Sequence, residues 1–335
     1  MSATTQPGRN CPLHYSYAPD ALKRRPEIVA DTLYVIGGLY GNRLALNAIE
    51  QLAAAEARPV TFVFNGDFNW FNVDPAGFAA INASVLAHHA LRGNVETELA
   101  EDDNAAGCGC GYPESVSDAE VDRSNAILLR LRAAARSQPE LRQQLGALPM
   151  TLTAAVGGVR VAIVHGDCGS LAGWRYDEAA LRDAIGVAAV VADCAATGAR
   201  VIASSHTCLP VAVRADTPAG GCALFNNGAA GMPNFAGTRF GLITRIAISP
   251  AATPAALYGT KIDDTHVDAL AVAYDHTQWQ GEFSANWPEG SAAHLSYHQR
   301  IVAGPRYGIN QAMRQGIRIS TPLREQLLAT GGIPS

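Results

Sequence analysis

Apolar residues fall in short runs that stop at glycine-rich or polar steps, and the period of the pattern switches between strand and helix along the chain. Thr32 to Ile36 reads as a buried strand that breaks at Gly37-Gly38-Leu39-Tyr40-Gly41-Asn42. Leu44, Leu46, Ile49 and Leu52 then recur near helical spacing, which predicts a helix from about Arg43 to Ala57. Val60 to Phe64 repeats the strand pattern, leads into Asn65-Gly66-Asp67, and is followed by a helical pattern over Phe78 to His89. Two successive βα units predict an α/β layered protein.

Between Glu98 and Ser117 the chain is acidic and glycine-rich, which predicts an irregular loop around Cys108-Gly109-Cys110-Gly111, and Asp118 to Arg136 then reads as a helix. Thr151 to Val156 and Val159 to Val164 are short β runs joined by Gly157-Gly158, a hairpin signal. A strand over Arg200 to Ala203 stops at Ser204-Ser205-His206, and further strands are expected around Val211, Leu224 and Leu242. Asp264 to Tyr274 reads as a helix, with Trp279, Trp287, Tyr297 and Tyr307 beyond it among polar residues. The pattern suggests an N-terminal extension over 1–30, a main domain over 31–260 and a helical or irregular extension over 261–335 packed on the same domain.

Polar residues of metal-ligand type stand where three predicted strands end: Asp67 after Val60 to Phe64, His165 after Val159 to Val164, and His206 after Arg200 to Ala203. Arg92-Gly93-Asn94-Val95-Glu96 adds an amide just past the helix expected to end near His89. One carboxylate, one amide oxygen and two imidazoles form a mixed oxygen and nitrogen set suited to a divalent ion such as Mn, Fe or Zn. Gly66, Gly93 and Gly166 each flank a candidate ligand and let the backbone turn tightly there.

In order and in neighbours, these segments resemble the calcineurin-like metallophosphoesterases, whose signature runs Asp-x-His, Gly-Asp, Gly-Asn-His-Glu/Asp, His and Gly-His-x-His. Gly66-Asp67 matches the second segment, Gly93-Asn94-Val95-Glu96 the third, His165 the fourth and Ser205-His206-Thr207-Cys208 the fifth. Asn226-Asn227-Gly228-Ala229-Ala230-Gly231-Met232-Pro233 looks like the turn that follows the fifth segment in many bacterial members, so the resemblance spans roughly Asp31 to Ile248. It implies a four-layer α/β/β/α sandwich of two mixed β-sheets flanked by helices, and a metal-dependent hydrolase that cleaves a small phosphate ester or diester with metal-bound water.

The departures from that pattern are as informative. The first segment keeps Gly41 and Asn42 but has Gly38 and Tyr40 in place of the Asp and His, the last His is Cys208, and the His of Gly-Asn-His is Val95. In the family one metal is held by the first-segment Asp and His, the bridging Asp and the last His, and the other by that Asp, the Asn and two His. Carried over, the second set survives as Asp67, Asn94, His165 and His206, whereas the first retains only Asp67 and the thiol of Cys208. The resemblance therefore implies one divalent ion per chain, no leaving-group acid at Val95, and Tyr40 as a replacement hydrogen-bond donor to the phosphoryl group.

With 335 residues, 48% of them hydrophobic, the chain is long enough to bury a full core. The formal net charge of -5, with Lys23-Arg24-Arg25 as the densest basic run, argues against nucleic acid as a partner. No apolar run reaches a membrane-spanning length, so a soluble, cytoplasmic protein with a small-molecule partner is expected; the sequence leaves the oligomeric state open. Two other readings stand beside the hydrolase: a catalytically degenerate relative that binds a ligand or metal in the same pocket, and a thiol-dependent redox or metal-handling protein using Cys108, Cys110 and Cys208. Gly37-Gly38-x-x-Gly41 matches the dinucleotide fingerprint only in part, because Ile36 stands at its first Gly. His88 and His89 are expected on a solvated helix face, and Trp279 and Trp287 as core or interface anchors.

Overall fold

The computed structural model describes residues 6–9, 11–218 and 220–321. Residues 1–5 of the expected N-terminal extension and 322–335 of the expected C-terminal one lie outside the described residues.

The two-residue alternation of the apolar runs builds two stacked sheets. In the strand Thr32–Ile36, Leu33 and Val35 face one way into a core shared between sheets, while Tyr34 and Ile36 face the other way, against helices. Val63 and the pair Phe62 and Phe64 divide in the same manner on Val60–Asn65, as do Val161 and Ile163 against Ala162 and Val164 on Val159–Val164. Strands buried on both faces in this way read as continuous apolar runs.

One sheet has six strands in the order Ile28–Ala30, Thr151–Val156, Val159–Val164, Val201–Ser204, Gly220–Asn226 and Val211–Thr217. The other has seven: Arg318–Ile319, Ala256–Ile262, Thr265–Val272, Gly241–Ala247, Thr32–Ile36, Val60–Asn65 and His89–Leu91. Both mix parallel and antiparallel pairs. The helices Arg43–Ala54, Pro75–Val85, Asp118–Arg136, His276–Asn286 and Ala292–Ala303 contribute to the core on the outer face of the seven-stranded sheet, and Ala184–Thr197 packs on the six-stranded one. The result is the expected four-layer α/β/β/α sandwich.

Local chemistry sets the helix ends. The Asn42 side chain accepts from Ala45 N at 3.0 Å and caps Arg43–Ala54, which stops three residues before the expected Ala57. Asp74 caps Pro75–Val85 with proline in the first turn. That helix begins and ends earlier than expected: His89 instead opens a strand that pairs in parallel with Val63–Asn65, and His88 and His89 are exposed as expected but not helical.

The larger correction lies at Asp264 to Tyr274. These residues form no helix; Thr265–Val272 is a strand paired antiparallel with both Ala256–Ile262 and Gly241–Ala247. Thr265, Val267 and Ala269 alternate into the core, and Asp263, at φ 51, makes the tight turn. Two neighbouring strands supply backbone partners, and that pairing overrides the helix preference of the Ala and Leu residues. Trp279 and Trp287 are buried, with Trp287 Nε1 donating to the Phe71 carbonyl at 3.0 Å.

Candidate metal centre

Val159–Val164 and Val201–Ser204 are neighbours in the six-stranded sheet, and the end of Val60–Asn65, in the other sheet, meets theirs through the Asn65 carbonyl against His165. Gly66, at φ 78, sits where a Cβ would lie 2.6 Å from both Gly93 N and His165 Nδ1. A Cβ on Gly93 would lie 2.3 Å from Asp67 Oδ1. Only glycine permits this approach of two chain segments and an imidazole.

Of the non-glycine residues with left-handed backbone, Tyr40 (φ 56), Asp67 (φ 54) and Cys208 (φ 64) line one cavity. Such conformations cost about 1–3 kcal/mol each and persist where the surroundings over-determine them. At Asp67 the constraint is Glu96, a buried carboxylate that accepts from Asp67 N at 2.7 Å, Gly93 N at 3.0 Å and Phe68 N at 3.1 Å.

Around this turn four side chains each spend one polar atom on the backbone and turn the other inward. Asp67 Oδ1 accepts from Val95 N at 3.1 Å, leaving Oδ2 free. Asn94 Nδ2 donates to the Cys108 carbonyl at 2.9 Å, so Oδ1 faces the centre. The Asn65 carbonyl lies 2.9 Å from His165 Nδ1 and the Cys110 carbonyl 2.9 Å from His206 Nε2; a carbonyl can only accept, so both of those nitrogens carry hydrogen. With both rings neutral, His165 Nε2 and His206 Nδ1 therefore hold lone pairs that face each other at 3.1 Å, and Nε2 lies 3.1 Å from Asn94 Oδ1 and 3.3 Å from Asp67 Oδ2. Asp67, His165 and His206 offer ligand atoms all within 4.8 Å of one another. Four electron-rich atoms converging in a buried place suit a cation.

The electrostatics agree. Burial pushes the Asp67 carboxyl up, but His165, then His206 and the Val95 N–H, outweigh it and hold it below its ordinary value. His165 is the mirror case: burial opposes its charge, and the Asp67 carboxylate lifts it above the ordinary imidazole value. His206 is pushed down to about 4, first by burial and then by His165, so it stays neutral. Glu96 is raised to about 7 by burial and then by Asp67. Both shifts express the attraction between the Asp67 carboxylate and the charged form of His165, an attraction that a divalent ion would replace.

The centre opens into a cavity of about 30 Å3, room for an ion and a water or two. Its walls include the rings of Tyr40, Trp70, Tyr112, Trp174 and Tyr297. Tyr40 OH lies 3.1 Å from Cys208 Sγ, and burial pushes the Tyr40 phenol well above its ordinary range, so it remains protonated. Of the sequence-derived candidates, Asp67, Asn94, His165 and His206 come together, and Tyr40 and Cys208 share their cavity. Of the thiols, Cys110 and Cys208 line the cavity, Cys108 adjoins Cys110 without lining it, and among the described residues no cysteine joins the ligand cluster.

Sequence reasoning missed Glu96 as the brace of the Asp67 turn, although Gly93-Asn94-Val95-Glu96 carries a capping-box signal with Glu at the third helical position. It also missed Trp174, whose Nε1 donates to the Cys110 carbonyl at 2.9 Å and whose ring meets that of His206 at 5.5 Å. Nothing local in Gly173-Trp174-Arg175 announces that contact.

No protein-family model matches the sequence, and no curated protein matches it. Solved structures do. The chain is similar to a metallophosphoesterase from Sphaerobacter thermophilus, with 18% identity and a TM-score of 0.53 over 82% of this chain and 100% of the other. It is equally similar to a hypothetical protein from Pyrococcus horikoshii OT3, with 17% identity and a TM-score of 0.53 over 83% of this chain and 100% of that one. Likeness at this identity speaks to architecture, and the architecture agrees with the layers described above. The chain has the calcineurin-like metallophosphoesterase fold.

Proposed function

We propose that the protein is a metal-dependent hydrolase of small phosphate esters, with one divalent ion of the Mn, Fe or Zn kind held by Asp67, Asn94, His165 and His206. The observation that carries this reading is the orientation of those four residues: each is pinned through one atom to the backbone, which turns its remaining ligand atom into a shared centre. When bound, such an ion supplies a Lewis acid that lowers the pKa of its water toward neutrality and polarises a phosphoryl oxygen.

The chain's own residues then have distinct tasks. Glu96 holds the Asp67 turn, and the Asn65 and Cys110 carbonyls fix the two imidazole tautomers. Tyr40 keeps its hydroxyl proton and faces the cavity, where it can donate to a phosphoryl oxygen. Val95, buried beside the centre, offers no proton to a leaving group.

A second reading, an ion-binding relative without turnover, is favoured by the small cavity. Hydrolysis of bis-p-nitrophenyl phosphate by protein loaded with Mn, Fe or Zn separates the two. The hydrolase reading expects turnover that is lost on chelation and in Asp67→Asn. Stoichiometric metal binding with no turnover under any of these ions supports the second reading instead.

A further inference from the structure

The chain segments that wall the metal cavity also border a second hollow. Tyr40 and Trp70 line the metal cavity, and the residues that follow them, Gly41 and Phe71, line a separate groove of about 570 Å3. That volume lies in the range of sites for small molecules. Its sides come from the start of Arg43–Ala54, the turn into Pro75–Val85 and one face of His276–Asn286.

The groove holds an unmet hydrogen-bond donor. Of the four tryptophans, Trp174 donates to the Cys110 carbonyl, Trp287 to the Phe71 carbonyl and Trp70 to the Tyr297 hydroxyl. Trp279, 4% exposed and part of the groove lining, is the exception: its Nε1–H is buried with no acceptor among the described residues. A buried indole N–H ordinarily has a partner, so an acceptor is missing here.

The other lining side chains indicate what carries it. Asn72 spends Nδ2 on Asn69 Oδ1 at 3.3 Å and keeps Oδ1 as an acceptor. Gln278 Nε2 donates to Glu282 Oε1 at 2.8 Å, which leaves the Gln278 amide oxygen and the second Glu282 oxygen. Asn47 and Asn286, on different helices, each add a donor and an acceptor. The charged lining sets Arg43 against Asp74 and Glu282, an excess of one negative charge, so an anion gains no net attraction. Interleaved donors and acceptors of this kind match hydroxyl groups, each of which both donates and accepts.

We propose that this groove binds a small neutral polyhydroxylated molecule of the monosaccharide or cyclitol class, with a hydroxyl oxygen accepting from Trp279 Nε1. The site is distinct from the metal centre and independent of the hydrolase reading.

The test follows the Trp279 indole N–H by NMR in isotope-labelled, Zn-loaded protein. The probes are D-glucose, D-galactose, D-mannose and myo-inositol, with acetate and inorganic phosphate as anion controls. Trp279→Phe assigns the resonance; if that variant does not fold, contacts to the Gln278 and Gln280 backbone amides assign it in the parent. At least one of the four polyols should move this resonance saturably. Asn47→Ala or Asn286→Ala, at exposed and half-exposed positions, should weaken that binding by about fivefold or more with metal content unchanged. No movement with any of the four overturns the proposal and leaves the N–H to water. Movement that does not saturate, or that is the same in both asparagine variants, overturns the placement, and movement by acetate or phosphate alone overturns the class of ligand.

Discussion

The hydroxyl of Tyr40 lies 3.1 Å from the thiol of Cys208, 168 residues along the chain, and both residues hold left-handed backbone, at φ 56 and φ 64. The resemblance places a second metal's ligands at these two positions. Here a phenol and a thiol that bond to each other stand there instead. Burial raises the Cys208 thiol as well, which disfavours the thiolate a metal requires.

Metal content should therefore be about one equivalent per chain. Cys208→Ser should leave it unchanged, whereas Asp67→Asn and His206→Ala should remove it. Elemental analysis after dialysis reads this directly. Two equivalents, or loss of metal in Cys208→Ser, would revive a thiolate site.

Metal affinity should weaken in acid. His165 must be neutral to bind an ion, and its pKa lies above 6.5, so a proton competes at and below that range. His206, at about 4, and Asp67, held low, add no competing proton in that window. The dissociation constant should rise about tenfold per pH unit below the His165 pKa, as for one competing proton. Competition titrations at pH 5.5 and 7.5 measure this; a flat profile contradicts the assignment of the imidazole as a ligand.

Glu96 should matter to stability and to metal together. Glu96→Ala strands three buried backbone N–H groups and should cost about 3 kcal/mol or more in denaturant unfolding. Its folded pKa, about 7 against an ordinary 4.5, means that the folded state holds the proton more tightly than the unfolded one. Its contribution to stability thus declines as pH rises from 4.5 through 7, and Glu96→Gln should remove that component of the slope. A Glu96→Ala variant as stable as the parent contradicts the role given to this carboxylate.

Gly66→Ala should be among the most damaging small changes. The added carbon would lie 2.6 Å from a backbone nitrogen and from His165 Nδ1, at a φ that L side chains rarely adopt. A loss of about 2 kcal/mol or more, with abolished metal binding, is expected from strain and displaced ligands. Retention of metal at parental affinity would show that the turn tolerates a side chain.

Much of this was legible because strands buried on both faces write long apolar runs, and the polar residues that end them stand out. Val60 to Phe64 before Asp67 and Val159 to Val164 before His165 are of this kind. The hairpin partner Thr265–Val272 was not, because its Ala and Leu content supports a helix as readily as a strand and neighbouring strands decide between them. Ala184–Thr197, rich in Val and Ala with no helical stripe, gave no periodic signal either. At the centre, ligand types were readable from residue chemistry, whereas the carbonyls of Asn65 and Cys110 that fix the imidazole tautomers belong to the backbone and leave no mark in the sequence.

An anomalous-difference map of crystals grown with Mn puts the four-residue centre to its most direct test. The account predicts one peak, within about 2.0–2.3 Å of Asp67 Oδ2, Asn94 Oδ1, His165 Nε2 and His206 Nδ1. No peak there in metal-replete crystals, or a peak bound by Cys110 and Cys208 instead, contradicts it.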